Sequence, residues 1–437
     1  MTRRKSLPIK EVIVVAAMAA VVVMIFPDND SPKVRAADNG IVRKELTWSL
    51  DEHEIATPKF SPDGQFIVFS KRVHWPDGHE AEELFGDQAA DLRKRKKDNP
   101  RFQDPVVTLI DLKGNVTCEV KYGSDPIVLP DNKTIILSRQ KSALTGLRSL
   151  AETLSGNDIA LYDCGSKASS ILAAPKRGFL DEPVLLPGNL SIAFAVNEAV
   201  NGAFAGKVAI EGVDLTGENR KVFLAKKTVA AFPCSKAPKK HFCHKSNSRR
   251  SSPEFSTIVY SYVLSGGRLL ALQGIPVPAA GDTFMADDYE IKLLSLAPEK
   301  KEILRLGQKN KMLSRLMLQP ADDGKVMIGA GRWRPFSLKT KSWLPDIASL
   351  PADVTPVIFS PDQKYYLSSG GHSFSLVNAA TGENVFTEAV NDDFDKIYDM
   401  VWSADSRRFA VVINKTGIFT DYHDTLNVYA IGPNSPE

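Results

Sequence analysis

Apolar and polar residues along this chain fall into short blocks, and one arrangement of blocks recurs. Residues 57–70 carry Phe60-Ser61-Pro62-Asp63-Gly64 and then the apolar run Phe66-Ile67-Val68-Phe69. Residues 355–367 repeat the plan around Phe359-Ser360-Pro361-Asp362, and residues 399–412 around Trp402-Ser403-Ala404-Asp405. Pro presets φ at the first corner of a turn, Asp caps the turn through its side chain, and Gly accepts positive φ. The apolar runs on either side suit strands buried on both faces. The unit is therefore a β-hairpin. One such hairpin cannot bury its own faces, so copies stack, and closing them into a ring removes the open ends.

Weaker copies follow the same rhythm. Asp125-Pro126-Ile127-Val128-Leu129-Pro130-Asp131-Asn132 is the clearest, and Glu182-Pro183-Val184-Leu185-Leu186-Pro187-Gly188-Asn189 replaces the turn Asp by Gly. Residues 316–328 have a longer turn, and residues 252–260 lack the Pro-Asp turn altogether. Second hairpins follow most of these, turning at Lys113-Gly114-Asn115, Gly165-Ser166, Thr216-Gly217-Glu218 and Thr381-Gly382-Glu383. Two hairpins give four strands, which is one propeller blade. The count predicts an all-β fold, a β-propeller of about seven four-stranded blades. The last unit supplies Leu426-Asn427-Val428-Tyr429-Ala430 and then nearly runs out of chain, so Ile41 to Trp48 is expected to supply its missing outer strand.

The phrase Phe60-Ser61-Pro62-Asp63-Gly64, with its copies at 359–362 and 402–405, resembles the WD40-like Pro-Asp repeat of TolB-type β-propellers. The resemblance covers most of the chain after about residue 40. It implies the propeller fold. Its members include envelope or surface scaffolds and substrate gates on peptidases, so it implies no single function.

Composition is that of an ordinary globular protein, 43% hydrophobic and 24% charged over 437 residues. The formal net charge of +3 is small for this length and argues against nucleic acid as a partner. The first 37 residues read as a signal peptide or a membrane anchor. Thr2-Arg3-Arg4-Lys5 is basic, Val12 to Phe26 is apolar, and Val34-Arg35-Ala36-Ala37 offers small residues for cleavage. Cleavage gives a free periplasmic or extracellular protein. Without it, residues 12–26 hold the propeller, residues 38–437, at a membrane, which is the expected membrane contact. An even four cysteines suits an oxidising compartment. Cys234 and Cys243 are close enough for a local disulfide, and Cys118 and Cys164 sit in the second hairpins of consecutive units and are placed to join neighbouring blades.

Three departures from the blade pattern are candidates for binding. A helical insertion is expected near 76–104, ending in Arg93-Lys94-Arg95-Lys96-Lys97, and a second near 142–155. A basic loop near 234–250 carries Lys239, Lys240, Arg249 and Arg250 between or beyond its cysteines. Zinc bound by Cys234, His241, Cys243 and His244 is the alternative reading of that loop, but the spacing is not that of a zinc knuckle and the lysines oppose a cation. The acidic clusters at 287–288 and 391–395 match no calcium loop, so no metal or other cofactor is expected.

Gly-x-Ser-x-Gly, His-Glu-x-x-His and a Gly-rich phosphate loop are all absent, and the seven histidines are scattered. No catalytic residue is assigned, and an enzyme is the less favoured reading. The expected function is a protein-binding scaffold in the cell envelope or extracellular space. The alternative is a propeller enzyme or a small-ligand (carbohydrate) binding protein that uses the central channel. That alternative requires polar side chains from several blades to meet on the axis.

Overall fold

The computed structural model describes residues 41–51, 53–73, 105–139, 157–175, 178–200, 203–229, 255–276, 288–310, 316–321, 324–330, 332–347, 350, 357–370, 372–390, 396–415 and 423–432. They form seven four-stranded antiparallel sheets, the blades of a propeller, with no helix among the described residues. In each blade the first strand lies nearest the axis. The inner strands are His53–Phe60, Gly123–Val128, Phe179–Leu185, Ile258–Ser265, Leu316–Ala321, Val357–Phe359 and Lys396–Trp402, for blades 1 to 7 in order.

The Ser-x-Asp turns repeat one bonding scheme. Ser61 is fully buried, so its hydroxyl must find partners. It donates to Asp63 Oδ1 at 2.6 Å and accepts the Phe66 N–H at 3.0 Å. Ser360 does the same with Asp362 at 2.7 Å and Tyr365 N–H at 3.0 Å. Ser403 does so with Asp405 at 2.6 Å and Arg408 N–H at 2.9 Å. The fourth turn position is left-handed in each case, with φ of 70° at Gly64, 57° at Gln363 and 60° at Ser406. Blade 4 abandons the scheme. Its first two strands, Ile258–Ser265 and Arg268–Pro276, meet across Gly266-Gly267, both at positive φ. That is a two-residue hairpin turn of the kind glycine favours, and it explains why residues 252–260 lacked the Pro-Asp signal.

The core lies between blades. The second strands are buried on both faces, so Ile67, Val68 and Phe69 of blade 1 are all inaccessible in succession. Ile55, Ile67, Phe69 and Ile110 of blade 1 pack on Ala410, Val412, Leu426 and Val428 of blade 7. Equivalent clusters fill the other interfaces.

Ring closure follows the expectation from the sequence. Val42–Asp51 is the outer strand of blade 7, paired antiparallel with His423–Ile431. Arg408 Nε bonds Glu45 at 2.8 Å, Thr47 bonds Asn427 at 2.9 Å, and Trp48 packs on Phe69 with ring centroids 5.0 Å apart. Buried Asp424 accepts the Ile55 N–H at 2.7 Å, tying blade 7 to the inner strand of blade 1.

Cys118 and Cys164 form a disulfide between blades 1 and 2, with Cα atoms 5.7 Å apart. The segment 1–37, the expected helices near 76–104 and 142–155, and the loop near 234–250 lie outside the described residues. Second-to-third-strand connections leave one face of the ring and the Pro-Asp turns leave the other. Residues 74–104 and 140–156 both make such connections, in blades 1 and 2, so their ends leave the same face.

The disulfide closes a loop of 46 residues. Replacing both cysteines by alanine is expected to lower unfolding free energy by about 2–4 kcal/mol. Denaturant titration of the double variant, alongside reduced and oxidised wild type, measures this.

Candidate functional site

One position of the inner strand repeats around the axis. Thr57, Asp125, Glu182 and Asp399 each stand four residues before the residue that opens the hairpin turn, namely Ser61, Leu129, Leu186 and Ser403. The register slips at this position in three strands, between Ala56 and Lys59, Ser124 and Ile127, and Asp181 and Val184, and one residue earlier, between Ile397 and Asp399, in the fourth. These are β-bulges, which re-aim side chains out of the normal alternation.

Three of the bulges are strained. Thr57, Asp125 and Glu182 have φ of 51°, 50° and 47°, and each precedes a proline. Left-handed backbone is costly for non-glycine residues, above all for β-branched Thr, and proline disfavours helical conformations before it. Each such position costs on the order of 1–3 kcal/mol and persists only where its surroundings hold it.

Lys59, two residues after Thr57 on the inner strand of blade 1, lies within electrostatic reach of this ring. Three carboxylates act on its charge, namely Asp125 of blade 2, Glu182 of blade 3 and Asp399 of blade 7. Blades 2 and 7 flank blade 1 on its two sides, while blade 3 is two blades away, so Glu182 acts on Lys59 past blade 2. Protein surrounds Lys59 closely, yet part of its surface stays accessible, as does part of Asp125, Asp181, Glu182 and Asp399. Burial holds the Lys59 ammonium below its ordinary pKa, against the pull of Asp125, Glu182 and Asp399. Among the described residues no carboxylate comes within 4 Å of it to form an ion pair.

Blade 3 contributes the most. Lys207 pairs with Glu182 at 2.5 Å, and Asn197 Nδ2 donates to Asp181 Oδ1 at 2.7 Å. The Tyr262 hydroxyl, from blade 4, donates to the Glu182 carbonyl. Burial, then Glu182 and Asp125, push the Asp181 carboxyl up to about 7. Burial pushes Asp399 up to about 6, against the Met400 N–H and Lys59. Burial, then Glu182 and Asp181, raise the Tyr262 phenol well above its ordinary value. Two buried polar atoms, Thr57 Oγ1 and Asn197 Oδ1, have no hydrogen-bond partner among the described residues. A buried group left so costs about 1–3 kcal/mol.

The axial ring combines half-buried hydrogen-bond acceptors with an ammonium, backed by the buried Asn197 amide. It suits a ligand rich in hydroxyl or amine groups. Among the described residues no three His, Cys, Asp or Glu side chains are grouped to hold a metal. Of the candidates read from the sequence, Cys118 and Cys164 are joined. Arg93, Lys94, Arg95, Lys96, Lys97, Lys239, Lys240, Arg249, Arg250, Cys234 and Cys243 lie outside the described residues. A two-stranded ribbon, Thr228–Val229 with Phe255–Ser256, closes the base of the segment that holds the last six. The axial residues were not singled out from the sequence, although Thr57-Pro58, Asp125-Pro126 and Glu182-Pro183 stand at matching places in three repeats.

No protein-family model matches the chain, and no curated protein matches it. The fold itself is a seven-bladed β-propeller.

Asp181 gives the ring a pH signature. Its folded pKa of about 7 lies above the ordinary 3.8. Between those values the native state holds a proton that the unfolded chain has lost, so stability falls as pH rises through that window. Asp181→Asn mimics the protonated form and removes this fall. Urea unfolding at several pH values should show the variant gaining on wild type up to neutral pH, by on the order of 2 kcal/mol after allowance for solvent screening. A difference independent of pH would contradict the assignment.

Proposed function

We propose that the protein is an exported or membrane-tethered propeller that binds a small polyhydroxylated ligand, of the carbohydrate class, in its axial channel. The observation that carries this reading is the unclosed ring around Lys59. Charges of opposite sign from blades 1, 2, 3 and 7 face one another without an ion pair to Lys59 among the described residues. Carboxylates accept from vicinal hydroxyls, while Lys59 supplies a complementary donor. Export is supported by the basic-then-apolar sequence of residues 2–26 and by the Cys118–Cys164 bond, which suits an oxidising compartment.

One observation favours a catalytic version of this reading. The Asp181 carboxyl, at about 7, keeps its proton near neutrality beside a Glu182 that is paired with Lys207. Neighbouring carboxyls in unlike environments are what general acid–base chemistry on glycosides uses. The scaffold reading expected from the sequence, with a protein partner in the envelope, rests on segments outside the described residues. It gains support only from the shared face on which 74–104 and 140–156 leave the ring.

A thermal-shift and calorimetric screen of the full chain against neutral sugars and amino sugars tests the proposal. At least one should bind, and Lys59→Met and Asp125→Asn should each weaken it by about tenfold or more. Lys59→Met should also fold at least as stably as wild type, because it removes a desolvated charge. Failure of every sugar to bind, or unaltered binding in both variants, would overturn the axial assignment.

A further inference from the structure

A second site lies at the rim, between blades 4 and 5, on the face of the Pro-Asp turns. It is a cleft of about 540 Å³, within the range of small-molecule sites. It exists because two turns meet without side chains. Gly266 of blade 4 and Gly324 of blade 5 both have positive φ, and a Cβ on Gly266 would lie 3.2 Å from Gly324 Cα.

The walls of the cleft are charged in one sense. Arg268 and Lys301 from blade 4 and Lys339 and Lys341 from blade 5 face one carboxylate, that of Glu299. The whole chain is nearly balanced, with 55 basic and 52 acidic residues, so this is a local excess. Several other cations of the same two blades are neutralised. Lys292 pairs with Glu302 at 2.9 Å, Arg305 with Glu290 at 3.0 Å and Arg334 with Asp346 at 2.9 Å. None of the four cleft cations has a carboxylate within 4 Å among the described residues. Four unpaired cations thus line one cavity, while Lys292, Arg305 and Arg334 nearby are spent on partners. Ile303 and Leu338 add an apolar lining, which an organic body would cover.

We propose that this cleft binds a phosphate ester carried on a compact organic body. Four cations held around one concavity match a group with several anionic oxygens, and the apolar lining distinguishes such a ligand from a bare inorganic ion. The site is independent of the axial ring, since none of its lining residues belongs to that ring.

Calorimetry on the full chain tests the proposal, with myo-inositol hexakisphosphate as the soluble probe and phosphatidylglycerol vesicles as the lipid probe. The comparison variant is Lys339→Ala with Lys341→Gly. Lys341 already sits at φ 53°, which glycine adopts without strain, so this variant should keep its fold and melt no lower than the wild type. At least one probe should bind at roughly physiological ionic strength and lose about tenfold or more in the variant, with Lys59→Met unaffected. Loss with the soluble probe assigns a free phosphate ester, and loss with vesicles alone assigns a lipid headgroup. Absence of binding to both probes, or equal binding by wild type and variant, would overturn the proposal.

Discussion

A four-stranded blade with both faces apolar is insoluble by itself, and the fold depends on closing a ring of such blades. The closing interaction is the pairing of Val42–Asp51 with His423–Ile431. It completes blade 7, buries Phe69 under Trp48, and draws the two ends of the propeller into one sheet. The Arg408–Glu45 bond and the Asp424 bond to the Ile55 N–H fix its register and its angle to blade 1. Once the ring is closed, every inner strand stands at a set distance from the axis.

That geometry turns repetition into a site. A residue that recurs at one strand position becomes, around the ring, a set of side chains aimed at a common centre. Thr57, Asp125, Glu182 and Asp399 are such a set, and Lys59 supplies the opposing charge. The arrangement works against stability. Three non-glycine residues are held in left-handed backbone before prolines, and two carboxyls are raised towards neutral pH by burial. Strain and desolvated charge of this kind, gathered at one place in an otherwise apolar fold, are characteristic of sites selected for binding or chemistry rather than packing.

The fold was legible in the sequence because each local rule leaves a mark. Buried Ser61, Ser360 and Ser403 need a nearby acceptor and donor, and the Ser-x-Asp turn provides both within a few residues. Blade 4 was obscure because Gly266-Gly267 turns the chain by backbone freedom alone and needs no such phrase. The outer strand of blade 7 was legible because the last hairpin lacked a partner. The axial ring was not, because Lys59 and Asp399 are far apart in the chain and meet only through closure. The pattern of an acidic or hydroxyl residue before proline, four positions ahead of the turn, was its only sequence signal. In the rim cleft, Arg268 and Lys341 likewise meet only through the packing of blade 4 on blade 5.

The central claim is that ring closure brings charged side chains of separate blades together around the axis, and carboxyl NMR titration of Asp399 measures this most directly. In the wild type Asp399 should titrate near 6, and in Lys59→Met it should titrate higher, because the ammonium of blade 1 no longer favours the carboxylate of blade 7. An Asp399 that titrates near its ordinary 3.8, and does so equally with and without Lys59, would contradict the account.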